Sequence, residues 1–191
     1  NKIFLSVTKG FDPETSQTIS GMVQTVLGDI PFAVLSGPTI AGEVAKEIPS
    51  TAVVAAKDES LAKDLQTVFN SESFRIYTNT DVLGVELGGS LKNIIALACG
   101  LCDGLGYGTN TKAAILTRGL AEMARLGEAL GANQETFSGL SGLGDLVTTC
   151  FSPDSRNRTT GEKIARGKSI EKILSNMDQL VDRVDSAHET F

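Results

Sequence analysis

The chain has 191 residues, of which 41% are hydrophobic, so it is long enough for one large core or two domains of about 100 residues each. Its formal net charge of −6 would repel nucleic acid and anionic lipid, and we expect neither as a partner. The apolar stretches are interrupted by Lys92 and by glycines, and the N-terminus lacks a secretion pattern, so we expect no stable membrane insertion and a cytoplasmic location.

Short apolar strands alternate with helices over residues 1–80, and this pattern is typical of a parallel sheet covered by helices. The strands are expected at 3–8, 32–35, 51–56 and 74–77, and the helices at 12–27, 41–46 and 59–69. The first helix is predicted to begin at Asp12, because aspartate is a good N-cap and Pro13 suits the first helical position. A domain that starts at a buried strand is unusual, so we expect part of an α/β domain to lie upstream.

From Asp81 onward the pattern is helical only, so we place a domain boundary there and expect residues 81–191 to be all-α. One amphipathic helix is expected to end at Gly131, a residue type common just after helix ends. Ser169 is expected to be the N-cap of a later helix, since Gly167-Lys168-Ser169 lacks the glycine spacing of a phosphate-binding loop. The glycine fingerprint G-x-G-x-x-G of dinucleotide-binding loops is also absent.

Three cysteines, Cys99, Cys102 and Cys150, are an odd number and form only one C-x-x-C pair. The single histidine, His188, lies far from them along the chain. We therefore expect no metal site and no disulfide framework, and favour buried thiols that pack as small hydrophobic groups.

The segment GVELGGSLKNIIALACG, residues 84–100, has the character of a buried helix but contains two adjacent glycines and a lysine. A glycine inside a helix costs about 1 kcal/mol relative to alanine, and a buried lysine loses solvation energy unless it is paired or reactive. On a helix Lys92 shares a face with Gly88 and Gly89, so a backbone or a small ligand could approach beside it. Equally compatible is a lysine that reaches solvent while the glycines only permit tight packing.

A second polar segment follows a glycine-rich turn and contains Gly144-Asp145, Thr148-Thr149 and Ser155-Arg156-Asn157-Arg158. The planar guanidinium of arginine matches phosphate oxygens in pairs, and serine and asparagine add neutral hydrogen bonds. These residues therefore suggest a phosphate anchor. An exposed polar loop before a helix that starts near residue 161 is the alternative.

Four parts of the chain together resemble the NAD(P)-dependent glycerol-3-phosphate dehydrogenase family, most closely its bacterial form. They are SVTKG with SGPTIAGEVA, then GVELGGSLKNIIALACG, then DGLGYGTNTKAAILTRGLAEMARLG, and finally SGLSGLGDLVTTC with SRNR. The resemblance covers roughly residues 5–185. It implies that residues 1–80 are the C-terminal part of a Rossmann-like dinucleotide-binding domain and that residues 81–191 form a helical substrate-binding and catalytic domain.

The resemblance implies an oxidoreductase that interconverts sn-glycerol 3-phosphate and dihydroxyacetone phosphate with NAD or NADP and feeds glycerophospholipid synthesis. Lys92 would be the general acid and base. The substrate site is expected to contain Lys9, Gly37, Thr39, Lys92, Asn93, Asp145, Thr149, Ser155, Arg156 and Asn157. The cofactor is expected to touch Lys9, Ala41, Arg156, Leu180 and Asp182. Near Leu180 the family usually has a valine, one residue, then a glutamate and a glycine, and this chain departs from that pattern.

Two other functions are compatible with the same residues. A related hydroxy-acid dehydrogenase would use the lysine-asparagine helix with a carboxylate anchor, and a non-catalytic helical binding or oligomerisation module would need Gly88 and Gly89 only for packing. A homodimer is also compatible. Because no glycine fingerprint is present for the pyrophosphate, we expect the 191-residue chain alone to be inactive and to bind NADH weakly or not at all.

Overall fold

The computed structural model describes residues 2–174, and its first part is a four-stranded sheet with the order β1-β2-β3-β4. The strands are β1 (Phe4–Ser6), β2 (Phe32–Ser36), β3 (Ser50–Ala56) and β4 (Phe74–Asn79). β1 is parallel to β2 and β3 is parallel to β4, but β2 and β3 are antiparallel. The expectation of a parallel sheet is therefore wrong at the central pair. Parallel neighbours need a long crossover, and the connection at 37–49 holds only a four-residue helix, so the chain turns back.

Three helices accompany the sheet: α1 (Ile19–Leu27), α2 (Ala41–Val44) and α3 (Glu59–Phe69). The prediction that α1 begins at Asp12 is wrong. The Asp12 carboxylate instead closes a local turn, accepting hydrogen bonds from the Thr15 backbone N–H at 3.0 Å and the Thr15 hydroxyl at 2.5 Å. Ser16 then has a φ of 54°, which a right-handed helix cannot contain, so α1 starts only after its N-cap Thr18.

After residue 80 the described part of the chain is helical, as expected. The α-helices are α4 (Val82–Gly104), α5 (Thr109–Ala129), α6 (Asp145–Phe151), α7 (Arg156–Ala165) and α8 (Ile170–Leu174), with a 3-10 helix at Gln134–Ser138 and a π-helix at Leu140–Gly144. Gly131 follows α5 with a φ of 96°, and the Ser169 hydroxyl accepts the Lys172 N–H at 3.3 Å, so both of these end signals are confirmed.

The long helix α4 lies between the sheet and the other helices. Its first turn packs Val82 and Val85 against the sheet, and further along Leu87 and Leu91 pack into a second cluster with residues of α5 and α6. By length and composition α4 could cross a membrane, but 72% of its apolar stretch is buried inside the protein, as in the core helix of a soluble domain. This central position brings residues of both parts of the chain to Lys92.

Candidate active site

Lys92 lies on α4 with only 6% of its surface exposed, and its ammonium donates hydrogen bonds to two residues of α6. Its Nζ donates to Asp145 Oδ1 at 2.5 Å and to Thr149 Oγ1 at 2.8 Å. Asp145 begins α6, and Thr149 lies one turn further along the same helix, where its hydroxyl donates to the Asp145 carbonyl at 2.7 Å. Within residues 2–174 these are the two hydrogen-bond acceptors of the ammonium, so its third hydrogen is left for another acceptor.

The Asp145 carboxylate bridges two lysines that are far apart in sequence. Its Oδ2 accepts from Lys9 Nζ at 2.7 Å, and the same Nζ donates to the Gly37 carbonyl at 3.1 Å. Asp145 is 2% exposed, so this charge is removed from water and depends on its partners. One carboxylate between two cations leaves the group with a net positive charge, which suits an anionic ligand in an otherwise acidic protein.

Burial changes the proton affinity of Lys92. Desolvation lowers the pKa of its ammonium from 10.5 to about 8, with Asp145 opposing this change and Lys9 adding to it. A lysine with a pKa near 8 exists in both protonation states close to neutral pH. It can therefore act as a proton donor in one direction and as an acceptor in the other.

Gly88 and Gly89 let other parts of the protein come against α4. A Cβ at Gly88 would lie 2.6 Å from the Ser141 carbonyl oxygen of the π-helix. At Gly89 it would lie 2.9 Å from Ser36 Oγ and 3.2 Å from Lys9 Cγ. The prediction that a backbone approaches this bare face is confirmed, and the approach of Lys9 shows that the glycines also allow its ammonium to reach Asp145.

A cavity of about 580 Å³ opens beside Lys92. Ten of the residues proposed from the sequence line it: Lys9, Thr39, Ala41, Lys92, Asn93, Asp145, Thr149, Ser155, Arg156 and Asn157. Gly37 contributes through its carbonyl, which holds Lys9. Leu180 and Asp182 lie outside the described residues. Six further lining residues were not among the predicted site residues, although Thr148 lies in the polar segment identified from the sequence: Ile40, Gly42, Lys46, Thr148, Ser152 and Asp154. Of these, Lys46 could have been found from the sequence, because it is a cation that directly follows the family-like segment SGPTIAGEVA.

The anchor residues stand at the start of a helix and not in a loop. Ser155 is the N-cap of α7, and its Oγ accepts the Arg158 N–H at 3.3 Å, which leaves the hydroxyl hydrogen free to be donated. The alternative of an exposed loop before residue 161 is therefore wrong. Ser155 is 9% exposed and Asn157 is 8% exposed, so both are held in place by packing. The positive end of the helix dipole at this end favours an anion.

The three cysteines do not contribute to the cavity. Cys99, Cys102 and Cys150 are buried free thiols, as the sequence suggested. Cys99 and Cys150 belong to the hydrophobic cluster between α4 and α6.

Comparisons with known proteins agree over the whole chain. Residues 81–191 match the family model described as NAD-dependent glycerol-3-phosphate dehydrogenase C-terminus, and residues 1–62 match the corresponding N-terminus. A curated relative, glycerol-3-phosphate dehydrogenase (NAD(P)+) of Clostridium acetobutylicum, is 48% identical over 191 residues, which are 100% of this chain and 58% of the relative. The enzyme of the same name from Syntrophotalea carbinolica is 50% identical over 192 residues, covering 99% and 58%.

Solved structures show the same similarity. The crystal structure of glycerol-3-phosphate dehydrogenase from Coxiella burnetii has a TM-score of 0.94 and 41% identity, and the match covers 98% of this chain and 58% of that one. The DsGPDH structure of Dunaliella salina has a TM-score of 0.89 and 35% identity, covering 97% and 33%. The chain thus spans well under two thirds of the length of these curated relatives and solved chains.

Proposed function

The chain belongs to the NAD-dependent glycerol-3-phosphate dehydrogenase family, and from this premise we propose that the whole protein interconverts sn-glycerol 3-phosphate and dihydroxyacetone phosphate with NAD or NADP. The observation that carries the proposal is a single cavity that has a buried lysine with a lowered pKa and, near it, a cationic helix N-terminus. Besides the nicotinamide cofactor, this reaction needs a proton-transfer group and an anion anchor.

The same proposal includes the organisation and setting of the protein. Residues 1–80 form the C-terminal part of the dinucleotide-binding domain and residues 81–191 the helical substrate and catalytic domain. The enzyme is cytoplasmic, feeds glycerophospholipid synthesis and forms a homodimer. Light scattering on the whole protein tests the dimer, and a monomer at micromolar concentration would overturn that part alone.

The phosphate of the substrate binds at the start of α7. Arg156 supplies a forked cation, Ser155 supplies a hydroxyl hydrogen, and Asn157 supplies an amide, all on the wall of the cavity. The N-terminal dipole of the ten-residue helix adds to the attraction. Binding energy from this remote anchor orients the reacting carbon beside Lys92.

Lys92 moves the proton. In the oxidation direction its neutral amine takes the proton of the secondary hydroxyl as the hydride leaves the same carbon, and in reduction its ammonium protonates the oxygen that was the carbonyl. Asp145 and Thr149 hold two of its hydrogens, so the third is directed to the substrate oxygen. Lys9 keeps the Asp145 carboxylate neutralised throughout and adds positive charge for the developing alkoxide.

The cavity also has room for the reactive end of the cofactor. Ala41 and Gly42 form part of its wall, and a Cβ at Gly42 would meet nothing within 4 Å, so a flat ring could lie there beside Lys92. Lys9, Ala41 and Arg156 would contact the nicotinamide end, with Leu180 and Asp182 as further proposed contacts. When bound, NAD(P) supplies the acceptor or donor of the hydride.

The residues at the start of α7 favour a phosphorylated substrate over the hydroxy acid of a related dehydrogenase. A carboxylate needs one forked cation, whereas the start of α7 combines a cation with a capping hydroxyl, an amide and a helix dipole, which suit a dianion. A substrate panel on the whole protein separates the two functions. Turnover of 2-hydroxy acids without turnover of glycerol 3-phosphate would overturn the proposal.

The pH dependence of the two directions should be opposite. Oxidation needs the neutral Lys92 amine, so kcat/KM for glycerol 3-phosphate should rise as the pH increases through about 8 and level off above it. Reduction needs the ammonium, so kcat/KM for dihydroxyacetone phosphate should fall above about 8. Both profiles are measured above pH 7, where the ionisation of the substrate phosphate is nearly complete.

A variant of a neighbouring residue tests whether the inflection near pH 8 comes from Lys92. Thr149→Val removes an acceptor of the Lys92 ammonium, so the inflection should move to lower pH in both profiles. Profiles that bend in the same direction, or an inflection that Thr149→Val leaves in place, would show that another group titrates.

Arg156→Lys should weaken substrate binding without unfolding the protein. A point charge replaces a fork, so the KM for dihydroxyacetone phosphate should increase about 10-fold, while the melting temperature stays close to that of the wild type. Steady-state kinetics and thermal unfolding measure the two effects. Arg118→Lys, on the exposed face of α5, is the matched control and should change neither. Equal substrate affinity in Arg156→Lys and wild type would remove Arg156 from the anchor.

A further inference from the structure

A charged cluster outside the cavity consists of Asp103, Lys112 and Arg158, and Arg158 Nη1 also pairs with Glu162 Oε2 at 3.4 Å, one turn further along α7. Lys112 Nζ lies 2.6 Å from Asp103 Oδ1 and donates to Oδ2 at 2.7 Å, and Arg158 Nη1 donates to the same Oδ2 at 2.5 Å. The three residues come from α4, α5 and α7. Among the described residues that line the cavity, none belongs to this cluster.

The two cations of the cluster also hold the end of α6. Arg158 Nε donates to the Ser152 carbonyl at 3.0 Å, and Lys112 Nζ lies 3.4 Å from the Cys150 carbonyl. Lys112 Nζ is in addition 4.9 Å from the centre of the Phe151 ring. The last carbonyls of a helix lack intrahelical partners and carry the negative end of its dipole, so cations are well placed there.

The segment fixed in this way joins the two halves of the site. α6 carries Asp145 and Thr149, which hold Lys92, and residues 152–155 lead from its end to the N-cap Ser155. Arg158 touches this connection twice, through its side chain at Ser152 and through its backbone N–H at the Ser155 hydroxyl. The distance between the proton-transfer group and the anchor is therefore controlled by where the connection lies.

A role in stability alone does not account for the cluster. Desolvating charged groups costs free energy that their mutual attraction often only just repays, and apolar side chains would fill the space as well. What a guanidinium provides, and an apolar side chain does not, is two directed bonds at once, here to Ser152 and to Asp103.

We propose that Arg158, held by Asp103 and Lys112, is a positioning residue that fixes the connection between α6 and α7 and thereby places Ser155, Arg156 and Asn157 around the substrate phosphate. The inference rests on the proposed function, because it assigns a substrate phosphate to this anchor. A shift of about 1 Å in an anchor is enough to weaken binding and misalign the reacting carbon.

Arg158→Lys in the whole protein is the test. Lysine keeps the charge but replaces the two fixed N–H directions of the guanidinium, which point to the Ser152 carbonyl and to Asp103, by a single ammonium. The Kd for glycerol 3-phosphate, measured by calorimetry, should rise about 10-fold, and kcat/KM for dihydroxyacetone phosphate should fall by a similar factor. With dihydroxyacetone, which has no phosphate, kcat/KM should stay within about twofold of the wild type. A merely structural role would lower both kcat/KM values together.

Two further variants serve as a control for Arg158→Lys and as a substitute for it. Arg118→Lys changes an exposed ion pair with Glu122 on α5, which shares no residue with the cluster, and it should leave glycerol 3-phosphate binding unchanged. Asp103→Asn keeps the shape but gives up one accepting oxygen, and it should weaken binding in the same direction if Arg158→Lys does not fold.

The outcomes for the two proposals are separate. Wild-type affinity for glycerol 3-phosphate in the folded Arg158→Lys or Asp103→Asn protein would overturn the positioning role. A wild-type protein that binds glycerol 3-phosphate but does not oxidise it would overturn the proposed function, and the affinity comparison would still decide the inference. A wild-type protein that binds no glycerol 3-phosphate would overturn both.

Discussion

Replacing Lys92 with alanine in the whole protein is expected to lower kcat by about 10²- to 10⁴-fold, the range for loss of a general acid or base. No neighbouring group can easily take over the proton transfer. Among the described residues, Lys9 is the other lysine that contacts Asp145, and its ammonium is already bound to the Asp145 carboxylate and to the Gly37 carbonyl. Cofactor affinity should change little. Steady-state reduction of dihydroxyacetone phosphate and a binding titration with NADH measure the two quantities.

Lys92→Met distinguishes chemistry from packing. Methionine fills similar space, and Asp145 keeps its ion pair with Lys9 at 2.7 Å, so no buried carboxylate is left alone. We expect the same loss of kcat with a melting temperature within a few degrees of the wild type. A protein in which Lys92 only packs would lose stability and keep its turnover per folded molecule. The exposed Lys63→Met, which breaks a surface pair with Glu59, is the control and should change neither quantity.

Gly161→Ala is expected to cause a large loss of stability. Here α4 and α7 touch through backbone: a Cβ at Gly161 would overlap the Leu97 carbonyl oxygen, and one at Gly100 would overlap the Arg158 carbonyl oxygen. Neither neighbour can move without shifting a helix, so the added methyl should cost about 3 kcal/mol, at the upper end for overpacking. For a chain of this size the melting temperature should fall by about 10 °C.

The same substitution where there is space provides the control. Gly42 in α2 has nothing within 4 Å of an added Cβ and does not have a positive φ. Gly42→Ala should therefore be neutral or slightly stabilising, because alanine is the better helix former. Thermal unfolding of both variants is the measurement. If Gly161→Ala melts with the wild type, the close approach of α4 and α7 is not as described.

Elements defined by local chemistry were predictable from the sequence. The helix Glu59–Phe69 was expected at 59–69, and the ends marked by Gly131 and Ser169 are where the residue types placed them. These signals act over a few residues, since an N-cap hydroxyl or a positive φ depends on its immediate neighbours. The start at Asp12 failed for a related reason: its carboxylate can close a local turn as well as cap a helix, and here it closes the turn.

The candidate site was only partly predictable. Its residues were named through the family resemblance and the unusual composition around Lys92, but sequence spacing could not place Lys9 and Lys92 on the two oxygens of Asp145. Nor did it single out Asp103 and Lys112 or connect them with Arg158 of the SRNR motif, because only the packing of three helices brings these residues together.

Sequence by itself determined the order of strands and helices, the glycines of α4 and the residue types available for chemistry. Tertiary structure alone decided the antiparallel pairing of β2 and β3, the lowered pKa of Lys92 and the meeting of Lys92 with the first residues of α7 at one cavity. The physical reason is the distance along the chain over which each kind of interaction acts. Backbone preferences and caps depend on neighbours in sequence, whereas desolvation and ion pairing depend on what lies within a few ångströms in space, and Lys9 meets Asp145 only after the chain has folded.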